Sequence, residues 1–299
     1  MHIAAFLLAS ALFVFAGSGG YTEEQAFADT ADKPNDRALF DRVVENQKKS
    51  DAAMDLYERL ERVEIHKVTG ETQSTEVKVS RVVPAGTGAA HLPVGPDGQV
   101  TDQTAYRAEL EKLEKSLVWA AETGRNQHEA YEKIAKKRIE REELIGAARV
   151  AFLFTLISTE QRDGQVLLKY RMDPNPAFKP TSRATSIYPR VRGTVWVDEA
   201  SGQLARIEGE VTDDISLGLF LAKVYKGSHF MQERYEMVAG VWLPSFSQYD
   251  FDGRKFLSSF SLHERTFYSN YRRVGTPKEA LELVRAELKE MKPGGVASR

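Results

Sequence analysis

Val191-Arg192-Gly193-Thr194-Val195-Trp196-Val197-Asp198 is the stretch that decides the fold. Val191, Gly193, Val195 and Val197 fall on one face of an extended chain, while Arg190, Arg192, Thr194 and Trp196 fall on the other. Glu199-Ala200-Ser201-Gly202 turns the chain, and the return run sets Ala205, Ile207, Gly209 and Val211 opposite Arg206, Glu208 and Glu210. A period of two is what an antiparallel sheet with one wet face produces. The pattern continues towards Tyr268. An apolar run covers 217–225, strands are expected over 229–238, 241–250 and 255–268, and Ala239-Gly240 and Asp252-Gly253 read as hairpin turns.

Upstream, the period changes. Phe40, Val43, Val44, Gln47, Met54, Tyr57 and Leu60 recur at three and four, so a helix is expected over 37–63 with Asp36 as its N-cap. A hairpin around Thr69-Gly70-Glu71 follows over 64–83, and the Pro- and Gly-rich residues 84–97 read as loop. Residues 101–148 are dense in Glu, Lys and Arg, with Tyr106, Leu110, Leu113 and Leu117 at helical spacing and a break at Gly124-Arg125-Asn126. This pair of helices is expected to be a largely solvated appendage to the sheet, or else a docking arm. Two more strands, 150–158 and 165–172, flank Arg162-Asp163-Gly164, and Asp173-Pro174-Asn175-Pro176 stops them. Residues 179–187 read as an irregular connection. Thr276-Pro277 opens a last helix over 278–291, ahead of a tail, 293–299, expected to be disordered.

The amino terminus carries an apolar block from Ile3 to Ala16, too short for a span of about 20 residues. Small residues follow it, and either Val14-Phe15-Ala16 or Ala16-Gly17-Ser18 fits a cleavage signal. Export is therefore expected, with a mature start between Gly17 and Tyr21. The organisation that results is a signal peptide at 1–18, a flexible linker at 19–36, one domain at 37–275 with the helical insertion at about 101–148, and a C-terminal helix and tail at 276–299. The 299 residues hold no cysteine, so neither a lipid-anchored cysteine nor a disulfide is available. With 41 Lys and Arg against 43 Asp and Glu, interspersed along the chain, nucleic acid is not expected as a partner. No second apolar block is long enough to cross a membrane, so no transmembrane segment is expected in the mature chain.

Catalytic patterns are absent. None of His2, His66, His91, His128, His229 and His263 has a neighbour at metal-pair spacing, and no metal or cofactor is expected. Asp250-Phe251-Asp252-Gly253 opens like a calcium loop but lacks the third acidic ligand and the distal glutamate, so it reads as a turn. There is no Gly-x-Ser-x-Gly elbow, and the glycine-rich Pro84–Gly88 segment has no following lysine to hold a phosphate. The chain is not expected to be an enzyme.

Aromatic residues crowd the C-terminal sheet, and two readings stand for them: core packing, or the lining of a cavity for an apolar ligand. On the second reading the candidate lining is Trp196, Trp242, Phe246, Phe256, Phe260 and Leu262.

The hairpin with Gly193, Trp196, Val197 and Asp198, then Gly202, Leu204 and Arg206, resembles the outer-membrane lipoprotein-sorting (LolA-like) proteins. The later Gly240-Val241-Trp242-Leu243-Pro244 strand is similar to the same family. The resemblance implies an α+β fold: an incomplete antiparallel β-barrel, a curved sheet whose concave face is covered by helices, here with a helical insertion that a minimal carrier lacks. It also implies lipid or lipoprotein acyl chains as ligand. The function expected is a periplasmic lipid- or acyl-chain-binding protein, with a place in lipoprotein sorting as a carrier. The alternative is an envelope protein-interaction or regulatory module with a filled core, whose partner is another envelope protein.

Overall fold

The computed structural model describes residues 34–86, 88–121, 124–182, 184–217 and 222–291. The signal peptide, most of the linker and the tail expected from the sequence lie outside the described residues. Alternating segments form strands β1 (Tyr57–Thr69), β2 (Thr72–Pro84), β3 (Ala89–Pro93), β4 (Phe152–Arg162), β5 (Gln165–Pro174) and β6 (Val191–Asp198). They continue as β7 (Leu204–Val211), β8 (Ile215–Leu217), β9 (Ala222–Val224), β10 (His229–Val238), β11 (Val241–Lys255) and β12 (Ser258–Arg273). The helices are α1 (Pro34–Met54), α2 (Gln103–Ala121), α3 (Gly124–Ala151) and α4 (Pro277–Glu290), with a 3-10 turn at Thr185–Arg190.

All twelve strands join one antiparallel sheet in the order β3-β2-β1-β12-β11-β10-β7-β6-β5-β4, with β8 and β9 attached beside β11. The end strands β3 and β4 do not pair with each other, so the sheet stays open. This is the large, unclosed antiparallel sheet with helices that the sequence predicts.

Register fixes which side chains face the helices. Val191, Val195 and Val197 enter the main core with Phe40, Tyr170, Tyr188, Phe230 and Phe251. Trp196, one residue out of phase, enters a separate small cluster with Leu167, Ala205 and Trp242 on the opposite face. α1 lies across the helix-covered face, touching β1, β7 and β11. It is clipped down by Asn46, whose Nδ2 donates to the carbonyls of Ser201 and Gly202, each at 3.0 Å. Tyr170 donates to Asp36 Oδ1 at 2.9 Å from below. Asp36 thus sits within the first turn of a helix that begins at Pro34, not at its cap.

Several further expectations change. First, the helix ends at Met54, and 57–63 belong to β1. Second, Asp252 and Gly253 are in mid-strand, paired with Ser261 and Phe260, and the hairpin turns at Phe256-Leu257 instead. The glycine is needed because β9 packs alongside: a Cβ at 253 would collide with the Lys223 carbonyl oxygen and come within 2.8 Å of the Phe260 ring. Third, the first helix of the charged pair is not a solvated appendage, while α3 stays largely exposed over 131–139 and is buried only from Leu144 onward. α2 buries Leu110, Leu113 and Leu117 in a second core with Val83 and Leu92 of the sheet and Leu281 and Val284 of α4. Arg81 joins that core's rim, donating to Tyr106 Oη at 2.6 Å and to Glu287 Oε2 at 2.7 Å. Residues 89–93, read as loop, add strand β3.

α4 begins as expected. The Thr276 N–H donates to Glu279 Oε2 at 2.7 Å, and the Thr276 hydroxyl accepts from the Glu279 N–H at 3.4 Å, a capping box with Pro277 in the first turn.

Candidate apolar site beneath the first helix

Helical spacing on α1 brings Phe40, Val43, Val44 and Gln47 to one side, and that side closes over the sheet. Between them lies a cavity of about 140 Å³. Its floor is Val195 of β6, Ile207 of β7, Phe230 of β10 and Phe154 of β4, and α3 contributes Ile145, Ala148 and Arg149, whose Nε lies 3.4 Å from Asp41 Oδ1. The walls are almost wholly apolar at this end. At the other end stand Gln47, Gln232 and Tyr249. The volume is close to the roughly 150 Å³ that holds a benzene-sized ligand, and less than half of the about 300 Å³ at which drug-sized pockets begin.

Beyond the glutamines the helix-covered face turns polar. Arg234 is 4 % exposed. Its Nε donates to Gln232 Oε1 at 3.0 Å, and with the Gln47 amide assigned so that its oxygen, not its nitrogen, faces the guanidinium, Nη1 and Nη2 donate to that oxygen at 3.2 and 2.9 Å. Burial lowers the guanidinium's pKa from its ordinary value, against the attraction of Asp51 and the phenols of Tyr271, Tyr268 and Tyr249. Asp51 itself is taken by Arg141, Oδ2 to Nε at 2.8 Å, and burial holds its carboxyl above the usual carboxylate range in spite of Arg141 and Arg234. Burial likewise pushes Tyr268 up to about 12. Further along, Glu264 is pushed up by burial and then by the negative charge of Glu61.

None of the six aromatic and aliphatic residues singled out from the sequence lines this cavity. Trp196 and Trp242 belong to the small cluster on the opposite face, where the Trp196 Nε1–H donates to Glu160 Oε2 at 3.0 Å and Lys169 sits 4.8 Å from its ring. Phe246 faces the same way, packing on Phe267 with ring centroids 5.0 Å apart. Phe256 stands at the β11–β12 tip, 60 % exposed, beside Leu257. Phe260 and Leu262 do face the helices, Phe260 against the main core and Leu262 opposite Phe251, yet both lie away from the cavity. For Trp196, Trp242 and Phe246 the reason is strand parity, since an abundance of aromatics does not say which face they occupy; Phe256, Phe260 and Leu262 miss the cavity by their position along the β11–β12 hairpin. The residues that do line it were visible as patterns, Phe40 to Gln47 by helical spacing and Val195 and Ile207 by alternation. Only the docking of one on the other was not.

A larger depression, about 630 Å³, opens elsewhere on the sheet, but charged side chains line it, among them Arg171, Arg192, Glu208 and Asp250. Among the described residues no three His, Cys, Asp or Glu side chains gather to hold a metal. No described helix is long and apolar enough to cross a membrane.

No protein-family model matches the chain, and no curated protein does. Solved structures do. One is a LolA superfamily protein from Nitrosomonas europaea, 9 % identical, with 82 % of this chain and 96 % of that one covered at a TM-score of 0.34. A second is a putative outer membrane lipoprotein-sorting protein domain from Vibrio parahaemolyticus, 11 % identical, 84 % and 100 % covered, TM-score 0.34. A third is a DUF1329 family protein from Desulfovibrio piger, 11 % identical, 79 % and 92 % covered, TM-score 0.29. The likeness is in the general layout.

Proposed function

We propose that this protein binds a lipid or lipoprotein acyl chain, without catalysing a reaction on it, in the periplasm of a Gram-negative type envelope. The observation that supports the reading is the apolar cavity between Phe40, Val43 and Val44 of α1 and Val195, Ile207 and Phe230 of the sheet. Burying methylenes there contributes about 0.8 kcal/mol each. A dozen would give near 10 kcal/mol gross, equivalent to a dissociation constant of tens of nanomolar. The present 140 Å³ takes only part of such a chain, so binding a long one requires α1 to lift. The attachments of α1 suit that movement. Besides Leu39, Phe40 and Val43, it is held by polar contacts through Asp36, Asn46, Gln47 and Asp51. Water can replace the neutral contact of Asn46 at a net cost of about 1 kcal/mol, whereas freeing Gln47 from Arg234 and Asp51 from Arg141 costs more, because those groups are buried and charged. The short apolar block at 3–16 supports export as the route to such a ligand.

Mass spectrometry of an organic extract of the purified protein tests the proposal. Stoichiometric lipid supports it. A lipid-free extract, together with no saturable uptake of any acyl probe, returns the reading to an envelope interaction module with a filled core.

A further inference from the structure

We infer that the ligand is a single-chain amphiphile with an oxyanion headgroup, a carboxylate or a phosphate monoester, received by Arg234. The inference rests on the acyl-chain reading and narrows it, since it names what must stand at the head of the chain. Three observations carry it.

Arg234 is buried, and among the described residues no carboxylate lies within ion-pair distance of it. The nearest acidic influence, Asp51, is already engaged by Arg141. A buried guanidinium answered only by neutral amide oxygens is incompletely offset for its lost hydration. A planar fork of donors matches a carboxylate or phosphate far better than it matches two glutamines.

The two glutamines that hold Arg234, Gln47 and Gln232, are also the polar end of the apolar cavity. Arg234 therefore stands directly behind the wall towards which the head of an inserted chain would point. Arg149 also reaches the cavity wall but is paired with Asp41, so an apolar pocket with the buried Arg234 behind its polar end is complementary to an anionic amphiphile and poorly matched to an uncharged one.

Gln47 belongs to α1, the helix whose displacement enlarges the cavity. Lifting α1 withdraws the Gln47 oxygen from the guanidinium as it makes room for the chain. The headgroup then takes the place of Gln47, so entry of the chain and release of the helix become one event.

The test compares decanoate, decyl phosphate and decanol, each below its micellar concentration, as displacers of an uncharged fluorescent acyl probe from the intact protein. At least one anion should bind about tenfold or more tightly than decanol, the size of effect a charge-assisted hydrogen-bond pair supplies. Whichever anion binds more tightly identifies the headgroup. Arg234→Met, verified as folded by circular dichroism, should bring the three ligands level. The wild-type comparison stands on its own if that variant does not fold. Equal binding of all three by the wild type overturns the headgroup assignment and leaves the acyl-chain reading intact. Failure of all three and of the probe overturns both.

Discussion

Phe40 of α1 stacks on Phe154 of edge strand β4, ring centroids 3.9 Å apart and planes 21° from parallel. The same ring meets Tyr170 edge-on at 4.9 Å. One side chain thus fastens the helix to the two outermost strands at that end of the sheet and forms part of the cavity wall. Phe40→Ala should lower the unfolding free energy by about 3–5 kcal/mol, as large-to-small core changes do. Urea denaturation measures it, and a loss under 1 kcal/mol would mean that α1 is not docked as described.

The second core makes the charged helices integral. Leu113 is 1 % exposed and packs among α2, α4 and the β2–β3 edge. Leu113→Ala should cost about 2–5 kcal/mol. Replacing 101–148 by a Gly/Ser linker should strip that core and broaden or abolish the thermal transition; a sharp transition at the wild-type temperature would restore the appendage reading.

Glu264 supplies a pH test with a defined sign. Its carboxyl is held above the ordinary range by burial and by Glu61, so ionisation costs the folded state more than the unfolded one. The contribution to stability is fully present below the unfolded carboxylate pKa and is lost as pH rises through the folded value. Glu264→Gln should therefore raise the melting temperature at pH 7.5 and leave it nearly unchanged at pH 4. An equal shift at both pH values would remove the electrostatic explanation.

The β6–β7 hairpin was legible because its buried face is purely apolar, so the period of two stands out. β1 was not, and the cause lies in what it buries. Glu58 and Glu61 are 6 % and 8 % exposed, satisfied by Arg81 at 2.7 Å and by Arg59 at 2.6 Å. With charges inside, Tyr57, Leu60 and Val63 show a three-residue spacing that imitates the helix before them. The β11–β12 turn was missed for a related reason. Asp252-Gly253 has turn composition, yet its glycine serves the close passage of β9, while the true turn at Phe256-Leu257 contains neither Gly, Asn, Asp nor Pro. For the site, each wall carried its own periodic signature. Their meeting depends on α1 crossing to β7 and β11, a contact between residues more than 150 positions apart that no local pattern encodes.

The central claim is that an apolar chain occupies the space beneath α1. Val195 is 4 % exposed and lies on the floor of that space. A fluorescent fatty-acid titration of the wild type and of Val195→Phe, which fills the floor, tests the claim most directly. The account predicts saturable one-to-one binding by the wild type and about tenfold or greater weakening in the folded variant. Equal affinity in both proteins would place any bound chain elsewhere, and no saturable binding by the wild type would contradict the claim outright.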